Sequence, residues 1–268
     1  GGAGKDKVTV SYSGKMDGHL GVNARGGAGD DTVSATVALS DGSTGSVKAS
    51  VKGDPGEEEE EEGGGAGGND TLSLTVTGPI AAGARANLSA DGGAGKDKVT
   101  VSYSGKMDGH LGVNARGGAG DDTVAVTIAL ATGSTGSVRA NEKGGAGNDT
   151  LTLTMTGPIA AGASADLSAD GGPGKDNVTV SYSGKLDGHL DFTANGGPGD
   201  DTVVGTITLA AGSTGSLKGR VNGGPGDDNL TFNITGTTTG TIDAILDGGP
   251  GTDKCVHTAN VTAINCEM

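Results

Sequence analysis

Ten aspartates recur in one local setting: Asp6, Asp31, Asp70, Asp97, Asp122, Asp149, Asp176, Asp201, Asp228 and Asp253. Nine lie in runs of the form Gly-Gly-x-Gly-x-Asp-x-apolar, beginning at Gly1, Gly26, Gly92, Gly117, Gly144, Gly171, Gly196, Gly223 and Gly248. A tenth run near Gly64 reads GGAGGNDTL and carries one extra glycine. The chemistry open to such a set is capture of a hard divalent cation. Calcium takes six to eight oxygen ligands. Glycine tolerates positive φ, so a tight turn can point several carbonyls inward. Carboxylates stacked about 4.8 Å apart along one edge repel each other without an ion between them.

Other chemistry is sparse. His19, His110 and His189 are related by a longer repeat and fall about three coils, or roughly 14 Å, apart. That is too far for a shared metal or a shared proton, and they read as surface residues. No nucleophile–base pairing is legible, so catalysis is not expected. Asp17, Asp108 and Asp187 recur in GKMDGHL or GKLDGHL only in every third coil, which leaves a second ion ladder in doubt. Lys5, Lys96 and Lys175 precede the motif Asp in those same coils, where they weaken ion binding or point outward.

These aspartates need a scaffold that repeats, and the sequence repeats almost throughout. Clean neighbouring motifs are 25 or 27 residues apart. After each motif Asp comes an alternating run, as in Leu151, Leu153 and Met155 between Thr150, Thr152, Thr154 and Thr156. Such alternation reads as a half-buried strand. A glycine-containing turn follows, then a weaker strand such as Leu111, Val113 and Ala115. Identical units of two strands predict an all-β, parallel, two-sheet solenoid of about nine to ten coils. Apolar columns such as Val8, Val33, Leu72, Val99 and Val124 would fill the space between the sheets.

The expected organisation is one solenoid over 1–254, in super-repeats of about 1–91, 92–170 and 171–247 and then a final motif. An acidic loop insertion at 53–63 interrupts it. Residues 255–268 form a cap or tail holding Cys255 and Cys266, with a disulfide or an intermolecular pairing as the two uses open to them. A chain opening at Gly1 inside a repeat reads as a mature or truncated product.

The composition agrees with a thin core. Glycine is 56 of 268 residues, Leu, Ile, Val and Phe together are 47, and Trp is absent. So little apolar matter in a strongly charged chain borders on disorder, and an ion-free chain is expected to be largely unfolded. Collagen is excluded because glycine does not recur every third residue. The net charge of −15 argues against nucleic acid and anionic membranes and favours cations. No apolar run of about 20 residues is present to span a bilayer, and no basic-then-apolar leader is visible.

The repeated GGxGxDxUx, with U apolar, resembles the nonapeptide of the repeats-in-toxin proteins, and GGAGNDTLT at 144–152 matches it closely. That resemblance implies a right-handed β-roll with calcium between successive turns. The ligands it implies are the ten motif aspartates and the backbone carbonyls of the adjoining glycine-rich turns. The coil here is longer than that family's, and only one edge carries the motif. The expected role is a non-catalytic, calcium-stabilised protein of the cell surface or exterior: a fibre subunit, stalk or surface-layer element that self-associates end to end. The alternative is an ice- or surface-binding adhesin module that uses outward threonines such as Thr9, Thr36, Thr75 and Thr100.

Overall fold

The computed structural model describes residues 1–54 and 67–267. The Glu run at 57–62 and residues 64–66 of the third motif lie outside the described residues, so the acidic insertion is represented only by Gly53 and Asp54. Each coil contributes two strands. The first joins one sheet, running from Lys7–Gly14 in coil one to Lys254–His257 in coil ten. The second joins another sheet, from His19–Arg25 to Thr262–Ile264. Both sheets have ten strands in coil order, and every strand pair is parallel. At about 4.8 Å per strand the rod is roughly 45 Å long. A parallel two-sheet β-solenoid is therefore the fold.

Register follows the hydrophobic alternation. Leu151 pairs with Val124 on one side and Val178 on the other, so each apolar position stacks on its equivalent. Leu151, Leu153 and Met155 are fully buried, while Thr150 and Thr152 point to solvent. Each buried Val or Leu is worth about 1.5–3 kcal/mol relative to exposure. A one-residue slip would turn the whole set outward. Val8, Val10 and Tyr12 of the first coil are only partly buried, because that coil has a neighbour on one side only.

Aromatic rings enter the core where a partner makes room. Phe192 and Phe232 stack with centroids 5.7 Å apart. Gly219 lies against Phe232: a Cβ there would stand 2.5 Å from its Cζ. Tyr103 is buried, and its hydroxyl donates to the carbonyls of Gly78 and Lys106, both at 3.1 Å.

Coil ten is short and is closed by the tail. Cys255 and Cys266 form a disulfide, with Cα atoms 5.8 Å apart. The intramolecular use of the two cysteines is the one the structure adopts.

Candidate cation-binding edge

The glycine-rich motifs stack into one edge of the rod, and their aspartates form a single column. Nine of them, Asp31 through Asp253, are 0–2% exposed. Each Oδ1 accepts the main-chain N–H of the motif Asp one coil earlier: Asp122 N donates to Asp149 at 2.7 Å, and Asp149 N donates to Asp176 at 2.7 Å. The same bond runs from Asp6 N to Asp31 Oδ1 at one end and from Asp228 N to Asp253 Oδ1 at the other. Glu267 ends the column: its Oε2 accepts Asp253 N, and its own N–H returns to Asp253 O at 2.9 Å. A tail glutamate thus stands where the next coil's aspartate would be.

The second oxygen tells a different story. Oδ2 of Asp31, Asp70, Asp97, Asp122, Asp149, Asp176, Asp201, Asp228 and Asp253 is buried with no hydrogen-bond partner. In eight of the nine it faces the first glycine of its own motif, and Asp70 Oδ2 lies against Gly53 instead. The point a Cβ on Gly171 would occupy lies 2.5 Å from Asp176 Oδ2 and 2.5 Å from the carbonyl oxygen of Gly196, one coil on. Only glycine fits there, and two hard oxygens from adjacent coils converge on the space it leaves. Calcium–oxygen bonds are 2.3–2.6 Å long, so the donors fit a hard divalent cation in kind. Asp176 Cβ, 2.8 Å from the same point, sets how close an ion can come. No group of three or more His, Cys, Asp or Glu side chains that could hold a metal occurs among the described residues. Any ion at this edge must draw on main-chain oxygens as well.

Burial makes ionisation of the column costly. Asp70, Asp122 and Asp176 are pushed up to about 7, and Asp97 and Asp228 to about 6. Loss of water is the largest cause, and nearby carboxylates add to it. The N–H accepted by each Oδ1 opposes the shift.

A second ladder, absent from the sequence reading, runs through the residue before each motif Asp. Asn148 N donates to Asp121 Oδ1 at 2.9 Å, and Lys175 N donates to Asn148 Oδ1 at 2.9 Å. Lys96 and Lys175 each donate a main-chain N–H to the Asn Oδ1 of the coil before, but the lysine side chain has no acceptor for the N–H of the coil after. The lysines therefore divide it into three-coil segments. The signal was present in the sequence as Asp or Asn at this position in Asp30, Asn69, Asp121, Asn148, Asp200 and Asp227.

The opposite edge behaves otherwise. Asp17, Asp108 and Asp187 pair with Lys15, Lys106 and Lys185 of their own turns. Each Oδ1 also accepts a threonine hydroxyl from the next coil, as Thr135 to Asp108 at 2.9 Å. These bonds hold all three carboxyls below the usual range. The three are brought together neither with one another nor with the motif column. His19, His110 and His189 align in one column, three coils apart, on the outer face of the second sheet.

One buried acid belongs to neither edge. Glu142 projects into the core from the strand Ser137–Ala146, between Ala115 and Ala169 in the neighbouring coils. It is fully buried, neither carboxylate oxygen makes a hydrogen bond of good geometry, and burial raises its pKa well above the ordinary value, with the nearby Thr152 main-chain N–H opposing the rise. Strand parity could have found it: Val138 and Ala140 set the inward phase, and Glu142 continues it.

No family model, curated protein or solved structure matches this chain. The likeness to the repeats-in-toxin nonapeptide rests on the motif alone.

Proposed function

We propose that this chain is a structural rod of the cell exterior, stabilised by calcium and serving as a fibre subunit, stalk or surface-layer element. The observation that carries the reading is the column of nine buried Oδ2 atoms without partners. An unpaired buried carboxylate is expensive, and nine of them in one column call for a counter-charge. The residues that would hold the ions are Asp6, Asp31, Asp70, Asp97, Asp122, Asp149, Asp176, Asp201, Asp228 and Asp253, with carbonyls of the adjoining glycine turns. Calcium would supply the positive charge the edge lacks. The disulfide supports an oxidising setting. No helix among the described residues is long and apolar enough to cross a membrane. A non-catalytic role is part of the proposal, supported by carboxylates committed to main-chain N–H groups and by histidines three coils apart.

End-to-end association also belongs to this reading. Every coil presents the same two strands and the same motif turn along the rod axis, so the ends of two rods can pair strand to strand as successive coils do. A head-to-tail contact does not close on itself, so it builds a filament. The test is circular dichroism and negative-stain microscopy with calcium and with excess chelator. Calcium should give a cooperative gain of β signal and rods or filaments. Identical spectra in both conditions would remove calcium from the account.

A second reading has its own observation. The outer face of the first sheet is almost free of charge: Lys7, Lys98 and Lys254 are its only charged residues among the described strands. Threonines and serines fill most other outward positions, as in Thr71, Ser73, Thr75 and Thr77. A flat hydroxyl array suits an adhesin that binds ice or another ordered surface. Thermal hysteresis separates this reading from a purely structural one.

A further inference from the structure

The outer face of the second sheet is the opposite of the hydroxyl face. It carries nine of the chain's 18 Lys and Arg residues but six of its 33 acids. The signs are also sorted along the rod. In coils one to five the face holds seven bases and a single acid, Asp91. In coils six to nine it holds five acids, Asp166, Asp170, Asp191, Asp243 and Asp247, against Lys218 and Arg220.

We infer that this face docks a second copy of the chain, face to face and antiparallel, with its dyad along the strand direction between coils five and six. Such a dyad reverses the rod axis and keeps each side-chain column on itself. Coil five then meets coil six, and coil two meets coil nine. In the column next to the motif edge, Lys143 faces Asp170 and Lys52 faces Asp247. In the column four residues earlier, Arg139 faces Asp166 and Lys48 faces Asp243; within one chain Arg139 already pairs with Asp166 at 3.4 Å and Arg220 with Asp243 at 3.1 Å, so the second copy adds to existing ion pairs. Symmetry doubles each pair, as in any isologous contact. Other charges meet neutral positions, as Asp91 with Asn222, Arg116 with Asn195, Lys218 with Asn87, Asp191 with Gly112, Arg85 with Ser216 and Arg220 with Ser89. No Lys or Arg opposes another and no Asp opposes another, while His110 meets His189.

Neighbouring registers fail. A dyad on coil five sets Arg139 and Lys143 against their own copies, and a dyad on coil six does the same to Asp166 and Asp170. One full coil further toward the C-terminal end, Asp166 meets Asp191 and Arg139 meets Lys218. One coil the other way, Lys143 meets Arg116 and Asp170 meets Asp91. The parallel arrangement sets Lys218 against Arg220. Like charges placed opposite each other suppress wrong partners and fix register.

The face is also large enough. Ten strands and four outward positions per strand span roughly 45 Å by 20 Å, or about 900 Å² per copy. A standard stable interface buries about 800 Å² per partner. Most positions between the charges are small, such as Ser50, Ser89, Asn114, Asn141 and Ser168, so two faces can approach closely. The pairing does not depend on the end-to-end association proposed above, because it uses a different surface.

The experiment is sedimentation velocity of the whole chain with calcium, at about 50 mM and about 500 mM salt. Over that range the Debye length shrinks from roughly 14 Å to roughly 4 Å, which screens the attraction between the two charged faces. A dimer at low salt that dissociates at high salt is expected. Lys52→Asp should weaken it at least about tenfold, since each dimer gains two facing acid pairs. Adding Asp247→Lys should restore it. Within one chain those two side chains are seven coils, or roughly 34 Å, apart, so rescue can act only through a second copy. Circular dichroism checks that each variant remains folded. A monomer at every concentration would overturn the inference. So would an association insensitive to these substitutions, or an anionic polymer binding to a rod that stays monomeric.

Discussion

The two edges of the rod both carry aspartates, and the edges use them in opposite ways. On the motif edge Asp149 is buried, repeats in every coil and has one oxygen unpaired. On the other edge Asp108 repeats in every third coil and is paired with Lys106 and Thr135. Burial raises the first kind of carboxyl, while hydrogen bonds from Lys106 and Thr135 lower the second. The difference shows where the chain leaves a buried acid half unpaired. The exposed turns satisfy their acids within the chain. The motif turns satisfy half of each acid and leave the other half for a proton or a cation.

The largest expected effect is on the dependence of stability on pH. A buried carboxyl with a raised pKa stabilises the fold most when protonated in both states, and that stability is lost as pH rises through the folded pKa. Here the loss should run from the ordinary value of 3.8 up to about 6–7. In excess chelator the melting midpoint should fall by at least roughly 5 °C between about pH 4 and pH 8. Calcium should flatten or reverse that slope, because ions need deprotonated ligands. A chelated protein whose stability rises with pH would contradict the buried-carboxylate picture of the motif edge.

Single substitutions sharpen the contrast. Asp149→Ala removes the acceptor for Asp122 N–H, and a buried unsatisfied N–H costs about 1–3 kcal/mol. Asp149→Asn keeps an oxygen for that N–H and removes the charge. In chelator at pH 8 it should melt no lower than the parent, and it should gain less from added calcium. Equal calcium gains for parent and variant would assign Asp149 to the hydrogen-bond ladder only. Asp108→Asn, by contrast, touches an exposed pair and should shift stability by about 0.5 kcal/mol or less.

Glu142 is the control between the edges, a buried acid with neither a ladder nor a cation-like cradle. Its inward column holds Val51, Ala90, Ala115 and Ala169 in other coils. Glu142→Val should stabilise the chain by about 1–3 kcal/mol at pH 8, where the cost of burying a carboxyl is greatest, and by less near pH 4. Denaturant melts at the two pH values measure it. A loss of stability at pH 8 would mean that the Glu142 carboxyl has a partner.

Much of this was legible in the sequence because the coil repeats and the strands alternate. Leu151 and Leu153 declared their inward phase against Thr150 and Thr152, and the spacing of 25 or 27 residues stacked them. The motif aspartates were equally plain as a column. What sequence could not give was the use of each oxygen, since one carboxylate both accepts an N–H and leaves its second atom bare. Glu267 has no signal in the repeat pattern, because it lies beyond the last motif and reaches the column only through the fold of the tail. The lysines preceding Asp97 and Asp176 read as ion-weakening or outward-pointing. Their effect within the fold is to interrupt the second ladder.

That interruption gives the smallest and most discriminating test of how the motif edge is built. Lys96 N donates to Asn69 Oδ1 at 2.7 Å, but the lysine side chain offers no acceptor for Asp121 N in the next coil. In the coils without lysine the equivalent bond is made, as from Asp227 N to Asp200 Oδ1 at 3.0 Å. Lys96→Asn supplies the missing oxygen and should join two ladder segments into one. The position is exposed, so water already serves Asp121 N, and the gain should be about 0.5–1 kcal/mol. Losing a positive charge beside the acidic column opposes that gain in chelator and favours ion capture in calcium. The variant should therefore stabilise the chain more with calcium than without it. Matched thermal melts in the two conditions measure the difference. An equal shift in both would confine Lys96 to the hydrogen-bond ladder, and destabilisation in both would show that the lysine side chain itself holds the turn.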